Sequence, residues 1–85
     1  MSLAPPYLQK GDTIAIVAAA RKISKAELKP TVTILKRWGL TVELGPNIFN
    51  EHNQFSGTDA ERAQDLQWAL DHKEAKAILI ARGGY

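Results

Sequence analysis

The chain has 85 residues, of which 45% are hydrophobic and 24% are charged, and its formal net charge is +2. This length and composition are those of one small globular domain or a piece of one. The absence of cysteine excludes disulfides, thiolate metal ligands and a cysteine nucleophile within these residues. The 11 basic residues are scattered, and no apolar run approaches the roughly 20 residues of a membrane span, so neither a nucleic-acid partner nor a membrane is expected.

The start of the chain lacks the basic segment followed by an apolar segment that defines a signal peptide. Residues 1–3 are compatible with a vector leader. A cytoplasmic protein is therefore the expectation.

Three short apolar segments predict β-strands at residues 13–18, 40–44 and 75–81. The first and third are nearly continuous in apolar residues, which favours strands that are covered on both faces. Gly11-Asp12 is a turn signal before the first strand, and the polar stretch 47–57 predicts a loop after the second.

A first helix is predicted between strands one and two. Ser24 and Glu27 have the spacing of a capping box, and Gly39 is placed to end the helix. Pro30 lies too deep for the first turn, so we expect either a kink or a later helix start. The apolar residues at helical spacing predict a buried stripe of Leu28, Val32, Leu35 and Trp38.

A second helix is predicted before strand three. Thr58 and Glu61 form another capping box, and the chain turns at residues 71–74. The predicted buried stripe of this helix is Ala63, Leu66, Ala69 and Leu70.

The order β-α-β-α-β predicts an α/β fold, a Rossmann- or flavodoxin-like half-sheet of three parallel strands joined by right-handed crossovers. Strand orders 1-2-3 and 2-1-3 both satisfy this pattern. We favour 2-1-3, with one helix on each face, because the most apolar strands are then the most central. The loops at 19–24 and 82–85 would meet at the switch point, where open α/β sheets bind ligands.

Gly83-Gly84 lies in the second of these loops. A glycine pair lets the backbone approach a ligand closely and turn N–H groups towards it, as an oxyanion site requires. A tight turn after a strand is the simpler interpretation of the same residues. Arg82 is equally compatible with bidentate binding of a substrate carboxylate and with an exposed charge at the edge of the site.

Other residues that carry chemistry have simpler explanations. Ser24 is explained as a helix cap, with no base evident. His52 and His72 lack partners at metal-ligand spacing and are expected in solvated loops, so no metal is predicted. Trp38 and Trp68 are expected in a core or an interface. No dinucleotide fingerprint and no Walker motif occurs, so no nucleotide cofactor is predicted.

Three segments of the chain form a combined pattern: PPYLQKGDTIAIVA from Pro5, FSGTDAERAQDLQWAL from Phe55 and AILIARGGY from Ala77. In this order and spacing they resemble the N-terminal part of the LD-carboxypeptidases. These are serine peptidases that include murein tetrapeptide carboxypeptidase and the microcin C immunity peptidase. The resemblance extends from Pro5 to Tyr85.

The resemblance implies that residues 1–85 are an N-terminal domain fragment of a two-lobed enzyme. Such enzymes remove a terminal D-amino acid from an L-centre, typically D-Ala from murein tetrapeptide, by a Ser-His-Glu triad. The family's serine follows a later strand in a Gly-x-Ser-Asp setting, and its Glu and His lie in the C-terminal lobe. No catalytic residue is therefore expected in this chain, which should be inactive alone.

The Gly-Gly-Tyr loop of the family carries over to Gly83, Gly84 and Tyr85. A glycine N–H of that loop forms part of the family's oxyanion hole, which makes Gly84 the first choice for the donor and Gly83 the second. Arg82 and Tyr85 become the candidate residues for binding a peptide substrate. The family often has Val-Ala-Pro after strand one, whereas this chain has Val17-Ala18-Ala19, so the loop shape there does not carry over.

Two other functions fit the same fold. One is a non-catalytic α/β module that binds a small ligand with the loops after strands one and three. The other is a nucleotide-binding domain with a degenerate loop. If strand three lies mid-sheet in a larger parent protein, it is an exposed apolar edge in this fragment. We therefore expect the fragment to self-associate through residues 77–81 or through the face meant for the missing part.

Overall fold

A computed structural model describes residues 8–19, 22–51 and 55–82 of the chain. The expectations for residues 1–3, for His52 and for the loop residues 83–85 lie outside these ranges. The elements in chain order are β1 (Thr13–Ala18), α1 (Lys25–Arg37), β2 (Thr41–Leu44), α2 (Asp59–Asp71) and β3 (Ala75–Ala81).

Neither helix of the described ranges has the length and apolar character needed to cross a bilayer.

The three strands form one parallel sheet in the order β2-β1-β3, which confirms the predicted α/β half-sheet and its strand order. β1 is paired on both edges, with Thr13 opposite both Thr41 and Ala75. From Ile14 to Ala18 it is buried throughout. The nearly continuous apolar run of β1 is thus explained by its central position, since a strand covered on both faces has no solvent side to make polar.

The two faces of β1 belong to two separate cores, one under each helix. Ile14, Ile16 and Ala18 pack in a cluster that includes the buried α1 residues Leu28 and Leu35. Ala15 and Val17 pack on the other face in a cluster with Ala69 and Trp68 of α2 and Ile78 of β3. One helix therefore covers each face, as predicted. Both tryptophans are half-buried and pack against these cores, Trp38 on the first and Trp68 on the second.

α1 begins at the predicted capping box. The Ser24 Oγ accepts from the Glu27 N–H at 3.1 Å, and the Ser24 N–H donates to the Glu27 Oε1 at 3.0 Å. The helix runs through Pro30 to Arg37, so the alternative of a later start is wrong. Pro30 and Ala26, whose carbonyl loses its helical donor, are both exposed, which places the missing hydrogen bond on the solvent side.

The segment before β1 is tied to the turn that ends α1. Gly39 has the left-handed φ of +84° that ends a helix. Its carbonyl accepts from the Gly11 N–H at 2.8 Å, and the Asp12 carbonyl accepts from the Thr41 N–H at 2.8 Å. The Gly-Asp turn signal thus sets the start of β1 against the start of β2.

The buried stripe predicted for α2 is largely wrong. Only Ala69 is buried, whereas Ala63 is exposed and Leu66 and Leu70 expose 41% and 62% of their surfaces. The other buried residue of this helix is Asp65, 3% exposed. A buried carboxylate is stable only when it is hydrogen-bonded, and Asp65 finds its donors in the loop after β2, which orients this face of the helix inward.

His72 corrects a second expectation. Its side chain is only 13% exposed, its Nε2 lies 2.7 Å from the Glu43 Oε1, and its ring meets Trp68 edge-on with the centroids 5.5 Å apart. The expectation of a solvated His72 is therefore wrong. Because His72 precedes β3, it lies at the end of the sheet opposite the carboxyl ends of the strands and plays no part in the candidate site.

Neighbouring residues of α1 allow a matched test of the core beneath this helix. Leu35 is 7% exposed, whereas Ile34 is 46% exposed. Leu35→Ala is expected to lower the free energy of unfolding by about 2–4 kcal/mol, because it leaves a cavity in a packed core. Ile34→Ala should cost less than about 1 kcal/mol. Urea unfolding of both variants measures the difference, and equal losses would contradict the assignment of the buried face.

Candidate functional site

The carboxyl ends of β1 and β3 lie side by side. Ala18 is in register with Ala81, and the Ala19 N–H donates to the Ala81 carbonyl at 3.0 Å. The loops that follow the two strands therefore begin at adjacent positions, as the strand order predicted. In open α/β sheets this point, where consecutive crossovers run in opposite directions, is where ligands bind.

The structure places one of the predicted site residues at this point. Arg82 follows β3 directly and is exposed, which is compatible both with a substrate clamp and with a charge at the rim. Gly83, Gly84 and Tyr85 lie outside the described residues, as do Ala20 and Arg21 of the other loop.

The loop after β1 is anchored where α1 begins. Ile23 is 6% exposed and belongs to the α1-side core, while Ser24 is occupied as the N-cap of the helix. Lys22 forms an exposed ion pair with Glu51, 3.6 Å between Nζ and Oε1. The interpretation of Ser24 as a helix cap is confirmed.

Asp65 holds the loop that follows β2. Its Oδ1 and Oδ2 accept from the Asn47 N–H at 3.1 and 3.0 Å, and its Oδ1 also accepts from the Asn47 side-chain amide at 2.9 Å. Gly45 makes room for this carboxylate, since a Cβ at that position would lie 2.6 Å from the Asp65 Oδ2. Sequence patterns missed this contact because they place a lone Asp on the surface.

The start of α2 closes the same loop from the other side. The buried Ser56 Oγ donates to the Ile48 carbonyl at 2.9 Å. The predicted capping box of Thr58 and Glu61 is present, and the Asn50 side-chain amide donates to the Glu61 Oε2 at 2.9 Å. These bonds tie the loop to the first turn of the helix.

Arg62 completes this arrangement. Its guanidinium donates to the Gly57 carbonyl at 3.0 Å, pairs with Asp59 and lies over the Phe55 ring, 5.3 Å from the centroid. The segment from Phe55 to Leu66, which carries much of the family resemblance, is therefore a structural clamp on the β2–α2 loop. Within it, Ser56 and Arg62 donate to backbone carbonyls and Asp65 accepts from the Asn47 N–H, so these three side chains bond to the protein's own backbone.

The described residues offer no metal centre. No three His, Asp or Glu side chains in residues 8–19, 22–51 and 55–82 are grouped to hold an ion. Within the same ranges every buried side-chain nitrogen or oxygen has a hydrogen-bond partner.

A double-mutant cycle tests the clamp between Gly45 and Asp65. Gly45→Ala should cost about 1–3 kcal/mol of unfolding free energy, because the new methyl group meets a buried carboxylate. Asp65→Ala should cost about 1–3 kcal/mol, because it leaves the Asn47 donors unsatisfied. The double variant should lose less than the sum by at least about 1 kcal/mol, since the methyl group then meets no carboxylate. Additive losses in urea unfolding would contradict the close contact.

Comparison with known proteins identifies the family. The family model described as the LD-carboxypeptidase N-terminal domain matches residues 14–85. The chain is 37% identical over 81 residues to the Bacillus subtilis (strain 168) protein named "Probable murein peptide carboxypeptidase". That alignment covers 95% of this chain and 25% of the relative.

Two further relatives are each 36% identical over 84 residues, and both are provisionally named as carboxypeptidases. The relative from Streptomyces coelicolor aligns with 95% of this chain and 27% of its own length, and that from Synechocystis with 98% and 28%. The chain spans about a quarter of the length of these relatives. Since the family model covers most of the chain, the protein belongs to the LD-carboxypeptidase family, whose N-terminal domain these residues form.

Proposed function

We propose that this chain is the N-terminal part of a serine-type LD-carboxypeptidase that removes the terminal D-Ala of murein tetrapeptide during peptidoglycan recycling in the cytoplasm. The observation that carries the proposal is the junction of β1 and β3 in a chain of this family, because the exposed Arg82 follows β3 there and directly precedes Gly83, Gly84 and Tyr85 in the sequence. A murein peptide carboxypeptidase is also the printed name of one relative.

The proposed role of the loop follows from the charge that develops in the reaction. Attack of a serine on an amide carbonyl puts negative charge on the carbonyl oxygen, and a rigid N–H donor lowers the barrier by stabilising that charge. The Gly84 N–H is the proposed donor, with Gly83 as the second choice. Ala81, the last residue of β3, is fixed by its pairing with Ala18 of β1. The segment that carries the proposed donor therefore follows a residue that is held in the sheet.

Arg82 and Tyr85 are the proposed substrate-binding residues. A carboxypeptidase must recognise the free carboxylate of its substrate, and a guanidinium can bind a carboxylate through two parallel hydrogen bonds. Arg82 is exposed at the strand ends, and none of the ion pairs found among the described residues occupies it.

The nucleophile, base and orienting acid of the proposed triad would come from the remaining three quarters of a protein of the relatives' length. The 85 residues alone are accordingly proposed to be inactive, because binding groups without nucleophile and base retain only residual catalysis. D-Ala release that scales with the concentration of the purified 85-residue chain would contradict this.

The substrate is tested with the full-length protein and L-Ala-D-Glu-meso-diaminopimelate-D-Ala. Mass spectrometry should show loss of D-Ala and accumulation of the tripeptide. Replacement of the serine in the downstream Gly-x-Ser-Asp motif by Ala should abolish the product. A folded full-length protein that leaves the tetrapeptide intact would contradict the proposed substrate and would favour a small-ligand module at the same loops.

The oxyanion donor is tested by removing one N–H at a time. Gly84→Pro lacks the proposed donor and should lower kcat by about 10²–10³ with little change in KM. Gly83→Pro is the matched control and should have the smaller effect. Circular dichroism of both variants verifies that they fold. A larger kcat loss for Gly83→Pro would move the donor to Gly83, and a change confined to KM would exclude both.

Self-association of the 85-residue chain is a further prediction. β3 is the outer strand of the described sheet, and Ile80 exposes 55% of its surface. An unpaired, apolar parallel edge invites pairing with another chain. Light scattering should show oligomers that grow with concentration, and Ile80→Lys should reduce them. A monomer at all concentrations would contradict this use of the edge.

A further inference from the structure

A groove lies between α1 and the end of β2, and its volume is about 500 Å³. Three exposed cations of α1 line it, Lys25, Lys29 and Lys36. Its floor is apolar and includes the half-buried side chains of Val32, Leu44 and Phe49. We name it the α1–β2 groove.

The three lysines form a stripe along one side of α1. Together with Val32 they occupy positions i, i+4, i+7 and i+11, which fall on the same side of an α-helix. At 1.5 Å per residue the stripe from Lys25 to Lys36 is about 16 Å long. An extended peptide covers this distance with about five residues.

The part of the chain that the structure describes does not neutralise this stripe. The ion pairs found in that part involve Lys22, Arg62 and His72, and no described acidic side chain lines the groove. The Lys25 Nζ lies 5.7 Å from the centroid of the Phe49 ring, which keeps this cation beside the apolar floor. The groove therefore fits a ligand that has several negative charges on apolar stems, as the Asp and Glu side chains of a peptide have.

The outer edge of β2 offers hydrogen bonds to such a peptide. β2 is an outer strand of the described sheet, and none of its four residues is buried. The Thr41 and Gly45 N–H groups donate to carbonyls within and just before β1, at 2.8 and 2.7 Å. Because backbone groups alternate in direction along a parallel strand, those of Val42 and Leu44 point away from β1. In the described ranges, no strand lies beyond β2 to bond them.

We propose that the α1–β2 groove binds an acidic peptide segment of another protein, which adds to the outer edge of β2 as an extended strand. Main-chain hydrogen bonds to Val42 and Leu44 would supply affinity, as in other cases of strand addition. The carboxylates of the segment would pair with the lysine stripe, and their methylene groups would cover the apolar floor.

The two sides of the sheet predict the sequence pattern of the segment. Alternate side chains of a strand face opposite sides of a sheet. Val42 and Leu44 pack on the α1-side core, so Glu43 between them faces the other side, where its side chain is 43% exposed. Carboxylates on that side would meet a like charge, which is unfavourable. Acidic residues are therefore expected at every second position, separated by uncharged ones.

Other polyanions fit the groove less well. A membrane surface or a nucleic-acid backbone would contact the exposed lysines but would leave the half-buried floor and the backbone groups of Val42 and Leu44 without partners. A peptide strand uses all three features of the site at once.

Fluorescence anisotropy with the full-length protein tests the proposal. The probe is a fluorescein-labelled, acetylated peptide of sequence Thr-Glu-Val-Glu-Val-Glu-Thr, and its control has the same composition in the order Thr-Glu-Glu-Glu-Val-Val-Thr. We expect saturable binding of the probe and binding of the control that is about tenfold or more weaker, because only the probe places every carboxylate on one side of a strand. No binding of the probe, or equal binding of the two peptides, would overturn the proposal.

Charge reversal tests whether the probe lies in the groove. The double variant Lys29→Glu/Lys36→Glu should weaken binding about tenfold or more, since each substitution replaces an attraction by a repulsion. The matched control Lys73→Glu/Lys76→Glu makes the same change of charge at exposed lysines outside the groove. It should change the dissociation constant by less than about twofold, because salt screens distant charges. Equal effects of the two double variants would overturn the site.

The strand pairing is tested by changing the peptide, which leaves the fold of the protein untouched. Two analogues of the probe carry N-methyl groups either on the glutamates or on the valines. In an added strand only alternate N–H groups point to β2, so one analogue should bind like the probe and the other about tenfold or more weakly. Equal binding by the two analogues would overturn the strand addition.

A second copy of the chain is the competing occupant. If the probe does not bind, and sedimentation shows a dimer that Lys29→Glu/Lys36→Glu dissociates, the groove belongs to a dimer interface and the proposal is overturned. None of these measurements uses peptidase activity, so their outcome does not depend on the proposed function.

Discussion

The rest of the structure depends on the burial of β1. This strand is paired along both edges and covered by a helix on each face, and Ala15 and Ile16 have no exposed surface. Because β1 is enclosed in this way, its six residues constrain both the register of β2 and β3 and the positions of the two helices. The position of β3, and hence the point where its loop leaves the sheet, follows from this enclosure. The candidate site is accordingly built at the end of the most buried strand of the described sheet.

The carboxyl end of β2 is also held in place by contacts with α2. Gly45, Asn47 and Asp65 lock the exit of β2 to α2, and Arg62 locks the helix start to the same loop. These polar groups use their hydrogen-bonding capacity within the protein. These bonds close the exit of β2, whereas the ends of β1 and β3 lie side by side, with Ala18 in register with Ala81.

Much of this arrangement could be predicted from the sequence, and the failures have clear causes. The capping boxes at Ser24 and Thr58 are local signals, which made the helix starts predictable. The continuous apolar run of β1 reflects its burial directly, which made the central position of this strand predictable. The α2 stripe failed because hydropathy assigns Leu66 and Leu70 to the core and Asp65 to the surface, whereas long-range hydrogen bonds to Asn47 bury the carboxylate. The expectation of a solvated His72 was wrong for a similar reason, because its partner Glu43 is 29 residues away in the sequence. The predicted site residues Gly83, Gly84 and Tyr85 stay predictions.

The proposed oxyanion donor in the loop after β3 is tested most directly by a crystal structure of the full-length protein with a phosphonate analogue of the tetrapeptide bound to its serine. We expect a Gly84 N–H about 2.7–3.1 Å from the phosphonyl oxygen, and the analogue's carboxylate beside Arg82. A phosphonyl oxygen bound only by donors from other segments, with the 82–85 loop turned away, would contradict it.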